Sequence, residues 1–475
     1  SIRGMKEDEY DSSFERDGFA PPAFTSALFR KLLHVGGPNP ARLDVELTPY
    51  GKIRGRVVDV EGKPVANVTV SIDGPRMGRP LAASTGADGD WAFDKLLPGS
   101  WTILAKPKPA MREDKDGARA GYVFTYFPAA AERKQAAPVI VRAGAEVSGL
   151  EIRLRSVALY RVRGVVLNED GRPAPDVTVT IHSKEPATEG AGTTMMGAAR
   201  AWYPGVGMGP EIASTQTDAE GRFEFSSVGE GDWLVRAEAS WGFIEETKRD
   251  VQAVGSLNLS VSQKDVGDVK IRLATNFDLP LSVDFGSDSE AAAGAAPRGA
   301  LMVVLSPVDG GPEVFGMPGK DGKPVLDRAY PGRYRVMAQT MRPDFYIASM
   351  DYAGREITGP IEITPGPQPL HLVLRKHAGV LRGTIEKGAA ATVILVPAAG
   401  AENEIVRGVT CAAGTLFQFD NLRPGPYAIV AFDRIEDGRL SDPAYVSRLL
   451  NSAKTIAVEE GNNPSIELSV NRWPD

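Results

Sequence analysis

Four histidines, His34, His182, His371 and His377, are the side chains of this chain best suited to metal ligation or acid–base chemistry. A hydrolytic zinc site needs two of them on one helix face with a carboxylate beside them. Here they are dispersed. Even His371 and His377 stand apart, with no Asp or Glu between them, so they are expected to be solvent-facing strand residues. Asp218-Ala-Glu-Gly221, with Asp88-Gly89 and Asp321-Gly322, hints at a calcium loop. Such a loop needs several oxygen ligands at alternating positions and a distal carboxylate. Hairpin turns explain the same residues without a metal. Gly205-Val-Gly-Met-Gly209 has the glycines of a phosphate loop but no Lys-Ser/Thr after it. Cys411 is the single cysteine, so there is no internal disulfide framework, and no histidine forms a recognisable dyad with it. The expectation is no catalytic residue, no cofactor and no metal.

The elements that hold these residues repeat along the chain, and the repeat is the strongest signal present. Asp88-Gly89 leads to Trp91-Ala-Phe93 and then Pro98-Gly-Ser-Trp101. Glu220-Gly221 leads to Phe223-Glu-Phe225 and Glu230-Gly-Asp-Trp233. Asp321-Gly322 leads to Pro324-Val-Leu326 and Pro331-Gly-Arg-Tyr334, and Gly414-Thr415 to Phe417-Gln-Phe419 and Pro424-Gly-Pro-Tyr427. In all four the first marked residue precedes the second by 10 positions (88 to 98, 220 to 230, 321 to 331, 414 to 424). Physically this is a hairpin turn, then a strand with two large side chains on one face, then a turn and a second strand opened by an aromatic anchor. An opening strand recurs at Gly51–Val58, Arg161–Leu167 and Val380–Ile385. A closing strand with period-2 alternation recurs at Leu150–Leu154, Val269–Leu273, Leu370–Leu374 and Ile466–Val470, as expected of a sheet with one wet face.

A fifth closing strand is expected at Leu43–Leu47, and Pro22–Phe29 echoes Pro443–Leu450. The chain is therefore expected to be all-β, a tandem array of antiparallel β-sandwich domains arranged as an elongated rod. The predicted units are 1–48 (the trailing part of an incomplete sandwich), 49–155, 156–274, 275–376 (degenerate) and 377–475. The second unit carries an inserted loop near 183–212: Val179 to Thr217 is far longer than its counterpart Val70 to Thr85. Met195, Met196, Trp202 and Tyr203 on this loop are the candidate interface residues, because Met and aromatic side chains favour interfaces. Either the loop presents a contact surface or it folds back over its own sandwich.

The stretches Gly55–Val70 with Thr85–Trp101, and Gly164–Val179 with Thr217–Trp233, resemble the carboxypeptidase regulatory-like family. The resemblance implies a seven- or eight-stranded prealbumin-like sandwich of the immunoglobulin-like class, in a bacterial, exported setting. It carries over no catalytic residue.

A net charge of −7 with no basic stripe argues against nucleic acid, and no apolar run reaches the length of a membrane helix. The leading expectation is a non-catalytic structural or interaction protein, secreted or on the bacterial cell surface. If strands of another chain complete the N-terminal unit, it would self-associate head to tail into a filament or matrix; if the missing strands belong to the same molecule, it is a rod of modules. The alternative is a carbohydrate- or peptide-binding accessory protein using the aromatic insertion loop; an enzyme with an unrecognised site is the third.

Overall fold

The computed structural model describes residues 8–10, 15–20, 33–35, 47–74, 81–108, 111–113, 119–184, 193–196, 199–202, 211–244, 249–285, 301–308, 313–318, 324–340, 342, 344–398, 406–411, 416–435, 440 and 443–474. These residues are overwhelmingly strand, in tandem β-sandwiches. The chain divides into two compact units, Ser1–Ala158 and Leu159–Asp475.

In the first unit the opening strand Gly51–Val58 is the middle of a three-stranded sheet. Asp90–Leu96 pairs with it antiparallel and Glu146–Arg153 pairs with it parallel. The facing sheet carries Leu81–Ser84, Thr69–Asp73 and Gly99–Lys106 in that order. Alternation puts Ile53, Val57, Trp91, Phe93, Val70 and Ile103 into the core between the sheets. Of the fifth closing strand predicted at 43–47, all but Leu47 fall outside the described residues. Nearby, Phe19–Ala20 pairs with Thr48–Pro49.

The second unit repeats this plan three times. The opening strands are Arg155–Leu167 (from Leu159 onward in this unit), Phe277–Asp284 and Gly379–Ile385. Each pairs antiparallel with its aromatic-strand equivalent (Arg222–Gly229, Pro324–Ala329, Phe417–Leu422). Each also pairs parallel with its closing strand (Val266–Arg272, Leu370–Lys376, Ile466–Leu468). A parallel pair between opening and closing strands thus recurs in every copy, and the fourth adds a second between Gly425–Phe432 and Val470–Asn471. In the third copy Val314–Pro318 pairs with both Leu301–Pro307 and Pro324–Ala329, which joins the two sheets into one.

Three local devices recur. A register shift interrupts every opening strand at the same place, between Gly51/Ile53, Tyr160/Val162, Phe277/Leu279 and Gly379/Leu381, the mark of a β-bulge. The turn glycines Gly99, Gly231, Gly332 and Gly425 all have φ between 141° and 154°, a conformation reserved for glycine. Two residues on, the expected anchors Trp101, Trp233, Tyr334 and Tyr427 are buried. Three of them bond back to the turn: Trp101 Nε1 to the Leu97 carbonyl, Trp233 Nε1 to Gly229 and the Tyr427 hydroxyl to Arg423.

The fourth copy has an addition that sequence alone did not announce. Pro443–Leu449 is an α-helix, and Tyr445, Val446 and Leu449 pack with Trp473, Phe432 and Ile394 on the outer face of the sheet. Every residue of Ala391–Val396 is buried as a result, because both faces of that strand are covered. No helix of the described residues is long and apolar enough to cross a membrane.

Candidate interaction surface

The insertion in the second copy forms a β-hairpin, Thr193–Met196 paired with Ala199–Trp202. Met195 and Met196 lie on its first strand and Trp202 on its second, while Tyr203 falls outside the described residues. The second strand pairs antiparallel with Val406–Cys411 of the fourth copy, setting Arg200 opposite Gly408, Ala201 opposite Arg407 and Trp202 opposite Val406. The backbone therefore runs to a sheet two copies downstream and does not simply fold back over its own sandwich. The reason is edge chemistry. Val406–Cys411 pairs on one side with Ala391–Pro397, and without the hairpin its other side would be an open sheet edge. A two-stranded hairpin is marginal alone and gains stability from a third strand. The equivalent strands Leu81–Ser84 and Glu211–Gln216 are sheet edges with no further strand among the described residues.

Copies within the second unit are also joined by side chains. Asn421 sits at the bulge with φ +57°, and its amide donates to the carbonyls of Phe345 (2.9 Å) and Arg342 in the third copy. The Arg342 guanidinium stacks over Phe345, 4.2 Å from the ring centre. Between the second and third copies, the Tyr330 hydroxyl meets the Gln252 amide oxygen at 3.2 Å, and Glu169 accepts from the Thr275 backbone N–H and hydroxyl. Asn421→Leu should strip the first junction of both bonds and force a branched side chain into a left-handed site, costing about 2–3 kcal/mol. The expected readout is unfolding of the third and fourth copies in two steps where the parent chain shows one; a single unshifted transition would contradict it.

Several of the residues singled out for chemistry serve structural roles. The Asp218 carboxylate accepts the backbone N–H groups of Glu220 (3.0 Å) and Arg222 (2.7 Å), a turn cap. Asp321 and Gly205–Gly209 fall outside the described residues. His182 is buried, 2.9 Å from the Thr180 hydroxyl, and His377 holds a left-handed backbone position. His34 lies on a strand opposite Glu9. Cys411 is buried, and burial pushes its thiol up, away from the reactive thiolate. It occupies the place where Thr85 and Thr217 each bridge two backbone groups, accepting from Val68 or Val177 and donating to Val65 or Ala174. Among the described residues no group of three or more His, Cys, Asp or Glu could hold a metal.

One constellation escaped the sequence reading. Asp351, His371 and Ser282 align across three adjacent strands, with His371 Nδ1 2.7 Å from the Asp351 carboxylate. The order is that of a hydrolase triad, but Ser282 is exposed, no hydrogen bond joins it to the imidazole, and the row lies on an open sheet face. The pair works as a cross-strand tie. A carboxylate 20 positions away in sequence becomes a neighbour only through antiparallel pairing, which is why local spacing missed it.

Glu313 is the carboxyl most displaced from its ordinary value. Burial pushes it up to about 7, and the nearby Ser306 hydroxyl, which makes no hydrogen bond in good geometry, offsets this only in part. The native state therefore holds a proton that the unfolded chain releases near the ordinary 4.5. Stability should fall as pH rises between these two values and level off above the upper one, by about 3 kcal/mol in all. Glu313→Gln should flatten that slope and raise the denaturant midpoint at pH 8; an unchanged slope would remove Glu313 as its cause.

A cleft of about 760 Å³ in the first sandwich is lined by Arg54, Arg56, Ser84, Asp90, Trp91 and Glu151, among others. Arg54 is paired with Glu146 and Arg56 with Glu151, each at 3.0 Å. The buried Trp91 indole N–H has no hydrogen-bond partner. Residues 52–109 of this same sandwich match a family model, that of the carboxypeptidase regulatory-like domain.

No curated protein matches the chain. Among solved structures it is similar to the Bacillus anthracis TIE protein at 12% identity and a TM-score of 0.17, over 78% of this chain and 58% of that one. It is also similar to a Streptococcal ancillary pilin (11% identity, TM-score 0.22, 69% and 99% covered). A third is a putative carbohydrate binding protein from Pseudomonas aeruginosa (15% identity, TM-score 0.17, 24% and 89% covered). The chain thus spans little more than half the length of the first of these.

Set beside the first sandwich, the later copies vary at one instructive pair. Gly55 lies opposite Trp91, Gly164 opposite Phe223 and Gly383 opposite Phe417, each ring lying over its glycine. Continuing the register of the third copy by one step puts Leu281 opposite Pro324. Large and small have exchanged places, which keeps the volume of the layer.

Proposed function

We propose that this chain is a non-catalytic structural and interaction protein, exported to the bacterial surface or secreted, whose sandwiches act as a scaffold joining further copies of itself. The observation that carries this reading is how the modules meet. In the second unit Val266–Arg272 leads through Ala274–Thr275 into Phe277–Asp284, and Leu370–Lys376 reaches Gly379–Ile385 after two residues. Asn421, Glu169 and the hairpin at 193–202 then stitch copies to one another. Junctions this short restrict interdomain motion. Side chains that elsewhere do chemistry cap turns and tie strands here.

Surface labelling of intact cells producing the chain, with electron microscopy of the released material, tests the reading. Label on the native protein together with head-to-tail multimers supports it; a strictly internal protein, or single particles only, overturns it.

One observation favours a second reading, a carbohydrate- or peptide-binding accessory protein: the cleft beside Trp91, with the paired charges Arg54–Glu146 and Arg56–Glu151 at its rim. Saturable glycan binding lost on Arg56→Ala but retained on Trp202→Ala would place the ligand in that cleft and not on the insertion hairpin.

A further inference from the structure

The hairpin and the edge that receives it are both parts of every copy of this chain. From this we infer that the Val406–Cys411 edge is a strand-acceptor site that takes the 193–202 hairpin of a second copy in exchange for its own. Three observations carry the inference. The docked register is short, with only Arg200, Ala201 and Trp202 placed opposite acceptor residues, so few ladder bonds hold the strand in place. The connections are long, ten positions from Ser183 to Thr193 and nine from Trp202 to Glu211, a length whose upper limit is roughly 30 Å each. Lastly, an exchanged hairpin makes the same pairings in the same register as the original, so exchange loses no contact and is opposed mainly by the entropy of association. The tether raises the effective concentration of the hairpin of the same chain. Exchange should therefore grow with protein concentration, and most where copies are crowded together.

The partner is a second copy of this chain, and the mode is strand addition to an open sheet edge, where backbone bonds supply affinity and register supplies specificity. The inference extends the self-association reading above but is separable from it. Exchange is measured on purified full-length chains, whereas location and multimer formation are measured on cells and on native material.

Directly opposed residues of an antiparallel pair have Cβ atoms roughly 4.5–5.5 Å apart, close to what a disulfide accepts. In a Cys411→Ala background, Ala201→Cys and Arg407→Cys on one chain should form an in-chain disulfide under mild oxidation, which reports that the hairpin is docked. With Ala201→Cys on one tagged chain and Arg407→Cys on another, a disulfide between the two chains requires exchange. The expected result is a covalent heterodimer that rises with concentration. It should exceed by at least tenfold the product from Ala201→Cys paired with Arg142→Cys, an exposed position in the first sandwich. Adding Ala201→Pro to the acceptor-cysteine mixture removes the donor cysteine and the strand, and should leave only background. An in-chain disulfide with no heterodimer above the control overturns exchange, and failure of the in-chain disulfide overturns the docking on which it depends.

Discussion

Gly383→Val should unfold the fourth sandwich. A Cβ at Gly383 would lie 2.3 Å from the Ile466 carbonyl oxygen and 2.3 Å from the Phe417 ring. Side chains can move away from such a contact, but the carbonyl belongs to the parallel closing strand, where Gly383 and Ile466 are direct partners. Relief would require separating the two strands. The cost should exceed about 4 kcal/mol, the range of severe packing and backbone defects. Gly164→Val should behave alike, since its Cβ would lie 2.3 Å from the Val269 carbonyl and 2.7 Å from Phe223. Gly383→Ala combined with Phe417→Leu should recover only the part due to the ring. Gly267→Ala, where a Cβ meets nothing within 4 Å, should stay within about 0.5 kcal/mol of the parent. Denaturant unfolding followed by limited proteolysis distinguishes these outcomes, and a Gly383→Val chain with parental stability would show that the strands are not so closely paired.

That glycine illustrates what could and could not be seen in the sequence. Its place in an opening strand was legible, because turns, aromatic alternation and closing strands are local and recur with fixed spacing. The reason for a glycine there was not, because the carbonyl that excludes a side chain comes from a closing strand some 80 residues later, Ile466, running parallel. The same limit hid the Asp351–His371 tie and the bulge, whose register shift exists only between strands. The helix at Pro443–Leu449 left a trace that could have been used. Thr392 apart, Ala391–Val396 is an apolar run where the first two copies alternate, and a strand of that kind needs cover on both faces. The destination of the insertion hairpin left none. Its strand reads like any edge strand, and what selects Val406–Cys411 as its partner is the three-dimensional placement of the fourth copy.

The aromatic anchors permit a sharper separation of forces, and Trp101→Ala should be the second most damaging change. Trp101 is 1% exposed, lies within the core of the first sandwich and packs against Gly74, whose Cβ position is only 2.5 Å from the indole. Removing the ring leaves a cavity that glycine backbone cannot fill, so a loss of about 3–5 kcal/mol is expected. Trp101→Phe keeps most of the apolar contact but deletes the N–H that bonds the Leu97 carbonyl at 3.1 Å. Its cost should be about 1–2 kcal/mol, the usual scale for a lost bond in a half-buried site. Tyr427→Phe makes the same deletion in the fourth copy, where the hydroxyl bonds Arg423 at 3.0 Å, and should cost a similar amount with no cavity term. If packing dominates, as burial on this scale requires, both Phe variants will lie well above Trp101→Ala in stability. If the bond back to the turn is the main device, Trp101→Phe will fall nearly as far as Trp101→Ala. The turn glycine Gly99, at φ 146°, would then be held in its unusual conformation chiefly by that bond.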